Sequence, residues 1–174
     1  MKNFVYDACT LIYLTKIQIK EKLSLLGKVV VSKTVKSELI SDLDRFSDAK
    51  ILKKNIEKKI IKESKLRLKN THTSENLGKG ERETIEICIK IGGIPVTDDH
   101  HAMYYALNLG LKPKTSEVIL LELLQEEIIN YQEFKALFKE LAMIKSLNTN
   151  IISYFKKKAK NIKFEKNNKS KGGV

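Results

Sequence analysis

Short apolar runs alternate with amphipathic segments along most of the chain. Residues 4–6 predict a buried strand, and residues 8–17 predict a helix because their apolar side chains recur at helical spacing. Residues 28–31 predict a second strand, and Ser32 is placed to cap the helix that follows. This alternation of strand and helix is typical of an α/β fold with a parallel sheet.

The middle of the chain continues the same alternation. The lysine-dense segment 48–69 predicts a helix and then a short strand. A helix over residues 81–91 comes next, and two glycines end it by helix-terminating chemistry. A strand at residues 94–97 follows, so the strands remain separated by helices, as a parallel sheet requires.

The C-terminal third is predicted to be helical. Helices are expected over residues 100–109, 116–124 and 131–144, and a last helix over residues 149–160. Residues 161–174 are basic and of low complexity, which predicts a flexible tail.

Positive charge adds a first indication of function. The chain has 33 Lys and Arg against 21 Asp and Glu, a formal net charge of +12. A small protein so basic is expected to meet a polyanionic partner. The alternative explanation is a lysine-rich proteome, because nearly all of the excess is lysine.

Cysteine usage and hydropathy predict a cytoplasmic location. Cys9 and Cys88 lie in stretches predicted to face the core, and the sequence has no cysteine or histidine spacing typical of a metal site. Both are therefore expected to be buried thiols in a reducing compartment. The apolar N-terminal run is interrupted by Asp7, and no apolar run is long enough to span a membrane.

Acidic residues end two of the predicted strands. Asp7 follows the first strand, and Asp98 and Asp99 follow the strand at residues 94–97. Ligands of open parallel sheets bind beyond the carboxyl ends of the strands, so these carboxylates occupy positions from which a site is built. Each could instead be a helix N-cap, but two strand ends with the same feature favour a site.

A third acid is predicted to point inward from a helix. At about 100° per residue, Glu81 falls on the same side as Cys88 and Ile89, whereas Glu83 and Glu86 fall away from that stripe. An inward carboxylate is costly unless it is neutralised, and a bound cation does this well. The alternative is that Glu81 only stabilises the start of its helix.

Four acidic motifs occur in order along residues 1–145. They are Val5-Tyr6-Asp7-Ala8, Val35-Lys36-Ser37-Glu38-Leu39, Gly80-Glu81-Arg82-Glu83 and Val96-Thr97-Asp98-Asp99. In this order the sequence resembles the PIN-domain nucleases, and it is closest to the prokaryotic group related to VapC-type toxins. Taken alone, Glu38 is better explained as a solvated helix position, and only the resemblance makes it a candidate.

The resemblance implies a three-layer α/β fold with a central parallel sheet flanked by helices. It also implies that the chain hydrolyses RNA with Mg²⁺ or Mn²⁺ in a two-metal mechanism. The expected metal ligands are Asp7, Glu38, Glu81 and one or both of Asp98 and Asp99, and all of these except Asp98 are expected to be catalytic. Asp98 would either bind the metal directly or hold one of its waters. The third acid is Glu81 where many relatives have Asp.

Other polar residues are expected to assist. Thr10 and Thr97 would support the acidic site, because a hydroxyl near the first Asp can hold a water of the metal. The nucleic-acid contacts are expected at Lys156, Lys157 and Lys158. His100 and His101 follow the last motif, where relatives often carry Arg, and they are better explained as solvent-facing helix residues.

The domain organisation follows from the same reasoning. Residues 1–145 form the PIN-like nuclease domain, residues 146–160 form a C-terminal helix, and residues 161–174 form the tail. The helix either completes the domain, which we favour, or docks a second copy or an antitoxin protein. The apolar side chains that would form such an interface are Leu137, Phe138, Leu141 and Phe155. RNA, a homodimer and an antitoxin are the expected partners.

The acidic motifs leave two other functions open. One is a PIN-like module that binds nucleic acid or regulates without cleaving. The other is a phosphate-binding regulator of the receiver type, which also gathers acids at strand ends. That regulator needs a phosphorylatable Asp after a mid-chain strand and a Lys after a later one, and the sequence has no convincing pair.

Overall fold

The computed structural model describes residues 1–41, 47–68 and 77–171, and its centre is a four-stranded sheet. The strands are β1 (Asn3–Tyr6), β2 (Lys28–Val31), β3 (Ile61–Glu63) and β4 (Ile94–Val96). They lie in the order β3-β2-β1-β4, and each neighbouring pair is parallel. This sheet, with helices around it, confirms the predicted α/β class.

The helices occur largely where the apolar spacing predicts them. They are α1 (Ala8–Lys16), α2 (Lys20–Leu26), α3 (Lys33–Leu39), α4 (Ser47–Glu57), α5 (Lys79–Ile91), α6 (His100–Asn108), α7 (Ser116–Gln125), α8 (Tyr131–Ile144) and α9 (Thr149–Lys171). Two differences stand out. The short helix α2 was not predicted, because it buries only Leu23 and so shows no apolar stripe. Helix α9 does not end near residue 160 but continues to Lys171, so the last helix is longer than predicted.

The central strands are apolar because both faces of the sheet are covered. Phe4, Val5 and Tyr6 of β1 are all buried, as are the valines of β2. The predicted helix boundaries follow ordinary capping chemistry. The Ser32 hydroxyl oxygen accepts a hydrogen bond from the N–H of Val35 at 3.0 Å, and Gly92 ends α5 with a positive φ of 61°.

The strand order locates the place where the sheet can bind a ligand. The chain runs from β1 to β2 and β3 on one side, and then crosses to β4 on the other side of β1. Adjacent strands whose connections leave in opposite directions open a crevice at their carboxyl ends. In this sheet that crevice lies between β1 and β4, so the residues that follow these two strands form its walls.

The chain divides into two compact units, Met1–Ser116 and Glu117–Val174. In the second unit, the rings of Phe134 and Phe138 stack with centroids 5.5 Å apart. The side chains of Lys145 and Glu117 form an ion pair of 2.5 Å. Phe138 and Leu141 are buried, so these two side chains do not provide exposed apolar surface for a partner. Within the described residues, no helix has the length and apolar character needed to cross a membrane.

Gly27, which directly precedes β2, should tolerate substitution poorly. A Cβ at this position would lie 2.6 Å from the carbonyl oxygen of Lys2 and 2.8 Å from the ring of buried Phe4. We expect Gly27→Ala to destabilise the fold by about 1–3 kcal/mol through overpacking. Thermal unfolding measures this. Gly92→Ala is the control, since a Cβ there meets nothing within 4 Å and only the positive φ is penalised, by about 1–2 kcal/mol. A larger loss in the control would contradict the overpacking argument.

Candidate active site

Asp7 lies at the carboxyl end of β1, with only 3% of its surface exposed. Its Oδ1 accepts a hydrogen bond from the N–H of Thr10 at 2.7 Å, so Asp7 is the N-cap of α1. Its Oδ2 accepts a hydrogen bond from the hydroxyl of Thr97 at 2.5 Å. The N-cap reading of Asp7 is therefore correct, but the second carboxylate oxygen also ties it to the segment after β4.

The ionisation of Asp7 is strongly perturbed. Its pKa is raised to about 6, mainly by burial and in smaller part by the negative charge of Asp98, against the opposing effect of the hydrogen bonds from Thr10 and Thr97. A carboxyl group is buried here although its charged form is penalised. Such groups occur often at functional sites, where a ligand or cation compensates the charge.

Thr97 and Ser116 orient the two acids that follow β4. The N–H of Asp99 donates to the Thr97 hydroxyl oxygen at 3.1 Å, and Asp99 caps α6 by accepting from the N–H of Ala102 at 2.7 Å. Asp98 accepts through one carboxylate oxygen from the N–H and the hydroxyl of Ser116, at 3.0 and 3.1 Å. Thr97 thus joins Asp7 and Asp99 through one hydroxyl group.

Glu38 and Glu81 come from two neighbouring helices, α3 and α5. A Cβ at Gly80 would lie 3.2 Å from both carboxylate oxygens of Glu38, so this carboxylate packs against the first turn of α5, next to Glu81. The start of a helix favours negative charge. The pKa of Glu38 is nevertheless raised, first by partial burial and then by the charges of Glu81, Glu83 and Asp7.

The Cys9 thiol senses acids that follow the strands as well as an acid on α5. Its thiol pKa is raised by partial burial and then by the charges of Asp7, Asp98, Glu81 and Asp99. The five acids predicted from the sequence therefore share one electrostatic neighbourhood. The thiol itself is exposed, so the prediction of two buried cysteines is wrong for Cys9 and correct for Cys88. Cys9 lies beside the acids, off the buried stripe of α1 that includes Leu11 and Leu14.

Glu83 is an acid that the helical pattern assigned to the wrong face. It is buried, and its carboxylate accepts hydrogen bonds from the N–H of Thr34 at 3.2 Å and from the Thr34 hydroxyl at 2.7 Å. Glu86, also expected to point outward, is buried and pairs with Lys90 at 2.8 Å, whereas Ile89 is 43% exposed. The prediction failed because α5 contacts β1, β4, α3 and α6 and so buries most of its circumference.

Of the remaining predicted residues, the threonine is buried next to Asp7, whereas the histidines and lysines are exposed. Thr10 is buried and supports Asp7 through its backbone N–H. His100 and His101 are exposed on α6, in agreement with solvent-facing positions. The three lysines proposed for nucleic-acid contact, Lys156, Lys157 and Lys158, are exposed on α9 in the second unit.

The donor set suits a hard divalent cation, although the carboxylates do not converge on one point. Over the described ranges, no three His, Cys, Asp or Glu side chains are close enough together to hold one ion. The carboxylates of Asp7, Asp98 and Asp99 accept instead from neighbouring backbone and hydroxyl groups. All of the candidate donors are carboxylate oxygens, which Mg²⁺ and Mn²⁺ prefer. The hydrogen-bond donors to buried Asp7 are neutral, so a cation would stabilise its charged form.

Comparison with known proteins gives the family. Residues 3–160 match the model of the family DUF3368, which is described as a PIN domain. A search of curated proteins found no match. The matched region covers most of the chain and includes all of the acids described above. The chain therefore belongs to the PIN-domain family, whose members are generally nucleases that use divalent metal ions.

Proposed function

We propose that this chain is a metal-dependent ribonuclease whose acidic site uses Mg²⁺ or Mn²⁺. One observation carries the proposal. Asp7, Glu38, Glu81 and the pair Asp98 and Asp99 come from four separate segments, yet charges from this set raise the pKa values of Asp7, Glu38 and the Cys9 thiol. Gathering like charges is unfavourable for the fold alone, so a cationic ligand is the physical reason for keeping them together.

The roles of the residues follow from their contacts. When bound, the cations supply the Lewis acidity that activates a water and stabilises the leaving oxygen. Asp7 is the best-fixed ligand, because Thr10 and Thr97 hold one carboxylate oxygen each. Glu38 and Glu81 supply charge from α3 and α5, and Asp99 is held through its backbone N–H by the same Thr97 that holds Asp7.

Charge supports RNA as the substrate class. The whole chain carries +12, and the acids of the site account for part of the negative charge, so the rest of the surface is more basic than the total. Such a field attracts phosphate backbones without reading sequence. The homodimer, the antitoxin partner and the toxin role remain predictions from the resemblance.

Cleavage of RNA by the purified chain tests the proposal. A single-stranded RNA, labelled at one end, is incubated with Mg²⁺, with Mn²⁺ or with EDTA. We expect cleavage with either metal and none with EDTA. Attack by water with departure of the 3′ oxygen leaves 5′-phosphate and 3′-hydroxyl ends. Cyclic-phosphate ends, or cleavage that persists in EDTA, would reveal a metal-free reaction and reject the proposal. Intact RNA with retained binding would favour the non-catalytic module.

Glu83 should act as a positioning residue that holds α3 against α5. Glu83→Ala removes both hydrogen bonds to Thr34, which lies on α3, the helix that carries Glu38. We expect about tenfold slower cleavage, in the range seen when outer contacts of metal ligands are lost. Glu83→Gln can still accept from the Thr34 N–H and should retain most of the activity. Rates at saturating and limiting Mn²⁺ measure the effect. An equal loss in both variants would show that the charge of Glu83 acts directly.

A further inference from the structure

A cleft in the second unit combines an apolar floor with a rim of lysines. It lies between α8 and α9 and has a volume of about 470 Å³. Its lining consists of the apolar and aromatic residues Tyr131, Phe134, Phe138 and Ala159 and the basic residues Lys135, Lys139, Lys156, Lys157 and Lys160. The volume is within the range of sites that hold small organic groups.

The rim of this cleft carries positive charge only. None of the lining residues is acidic, and no acidic side chain in the described part of the chain pairs with Lys139, Lys156 or Lys157. At one end, the ammonium groups of Lys135 and Lys163 both lie over the ring of Tyr131, at 5.5 and 4.9 Å from its centroid. Such a concentration of cations favours a ligand with several negative charges.

The shape of the floor limits the kind of ligand. Phe134, Phe138 and Ala159 are each only 1% exposed, so they close the floor without forming pockets between them. An amphipathic helix needs a groove that receives side chains at successive turns, and this floor does not provide one. A single-stranded nucleic acid fits this arrangement, because its phosphates can reach the lysine rim while a base packs against the partly exposed ring of Tyr131.

We propose that the cleft between α8 and α9 binds single-stranded RNA. The phosphates contact Lys139, Lys156 and Lys157, and a base packs beside Tyr131. This inference rests on the proposed ribonuclease function for its choice of RNA, and it adds a binding site in a unit separate from the acidic cluster.

RNA binding is measured in the absence of metal. The test of the cleft is then independent of the proposed metal-dependent cleavage. The full chain is titrated in EDTA against a fluorescein-labelled single-stranded RNA, and anisotropy is followed at several salt concentrations. The cleft variant is Lys139→Gln, Lys156→Gln and Lys157→Gln together. The control variant replaces three exposed lysines of α4 in the same way, Lys50, Lys53 and Lys54, and so has the same net charge. Both variants change only exposed side chains, and circular dichroism checks their folding.

We expect the cleft variant to bind RNA at least about tenfold more weakly than the wild type. The slope of log K against log salt should fall by about 0.7 for each lysine removed, because each released phosphate contact removes its counterions. Tyr131→Leu should weaken binding by about tenfold with an unchanged slope, since it removes stacking and no charge. The control variant should bind close to the wild type.

Three outcomes would overturn the proposal. Wild-type binding by the cleft variant would show that the cleft is not used. An equal loss in the α4 control would assign binding to the general field of the protein. Displacement of the RNA by poly-glutamate of equal charge, at equal concentration, would identify a site for acidic protein instead. Because EDTA is present throughout, these results do not depend on whether the chain cleaves RNA with Mg²⁺.

Discussion

The Asp7→Asn variant is expected to lose RNA cleavage and at the same time to become more stable than the wild type in EDTA. Activity should fall by more than about 100-fold, because Asp7 is proposed as a direct ligand and even outer contacts of metal ligands are commonly worth 10–100-fold. Stability should rise because the buried carboxylate is ionised at neutral pH, above its pKa of about 6. An asparagine can still accept the hydrogen bond from Thr10 and cap α1.

The gain in stability should depend on pH. The pKa of Asp7 is about 6 in the folded chain, against an ordinary value of 3.8, so the folded state holds its proton more tightly than the unfolded state. Stability of the wild type therefore falls as the pH rises from about 4 to about 6. A shift of about two pKa units corresponds to about 3 kcal/mol at neutral pH. Below about pH 4 the variant should have no advantage.

Thermal unfolding of wild type and variant in EDTA, at about pH 7.5 and about pH 4, measures this difference. At about 2–4 °C per kcal/mol for a chain of this size, the variant should melt roughly 6–12 °C higher at the upper pH. Glu57→Gln makes the same change of charge at an exposed acid on α4 and should alter neither cleavage nor melting. Loss of cleavage without any gain in stability would argue against a penalised buried carboxylate.

The second large effect is expected for Thr97→Val. The hydroxyl of Thr97 donates to Asp7 and accepts from the N–H of Asp99, so it fixes two proposed ligands at once. Valine has nearly the same shape and lacks both hydrogen bonds. We expect Mn²⁺ affinity to fall by about 10–100-fold, as for other groups that orient metal ligands. Cleavage at limiting Mn²⁺ should fall in proportion, with partial recovery at high Mn²⁺.

Thr15→Val is the matched control for this change. Thr15 is also buried, on α1, and its hydroxyl has no hydrogen-bond partner among the described residues. Its replacement should leave Mn²⁺ dependence unchanged and should not destabilise the fold. If the two variants lost the same Mn²⁺ affinity, the effect would come from packing around α1 and β4, and the role given to the Thr97 hydroxyl would be rejected.

The strands and most helices could be predicted because their signals are local. The apolar run 28–31 followed by Ser32 predicts a buried strand and a capped helix, and both are present. Asp7 and the pair Asp98 and Asp99 could be placed at strand ends for the same reason. Their proximity follows from the order of the strands, because parallel strands bring their carboxyl ends to one edge of the sheet.

The parts that were missed depend on contacts between distant segments. Glu83 is buried because Thr34, 49 residues earlier, satisfies its carboxylate, and no local pattern reveals that partner. Helical spacing marks a single buried face, so it fails for α5, which is covered by both strands and helices. Cys9 was expected to be buried as an apolar residue, yet it is exposed on α1, within the influence of the acids that follow β1 and β4.

Calorimetric titration of the purified chain with Mn²⁺ shows directly whether the acids around Asp7 bind a divalent cation. We expect saturable binding by the wild type at neutral pH, strongly weakened binding by Asp7→Asn and unchanged binding by the exposed control Glu57→Gln. Competition by Mg²⁺ at the same site should follow. Absence of saturable binding, or equal affinity in the wild type and Asp7→Asn, would contradict the account.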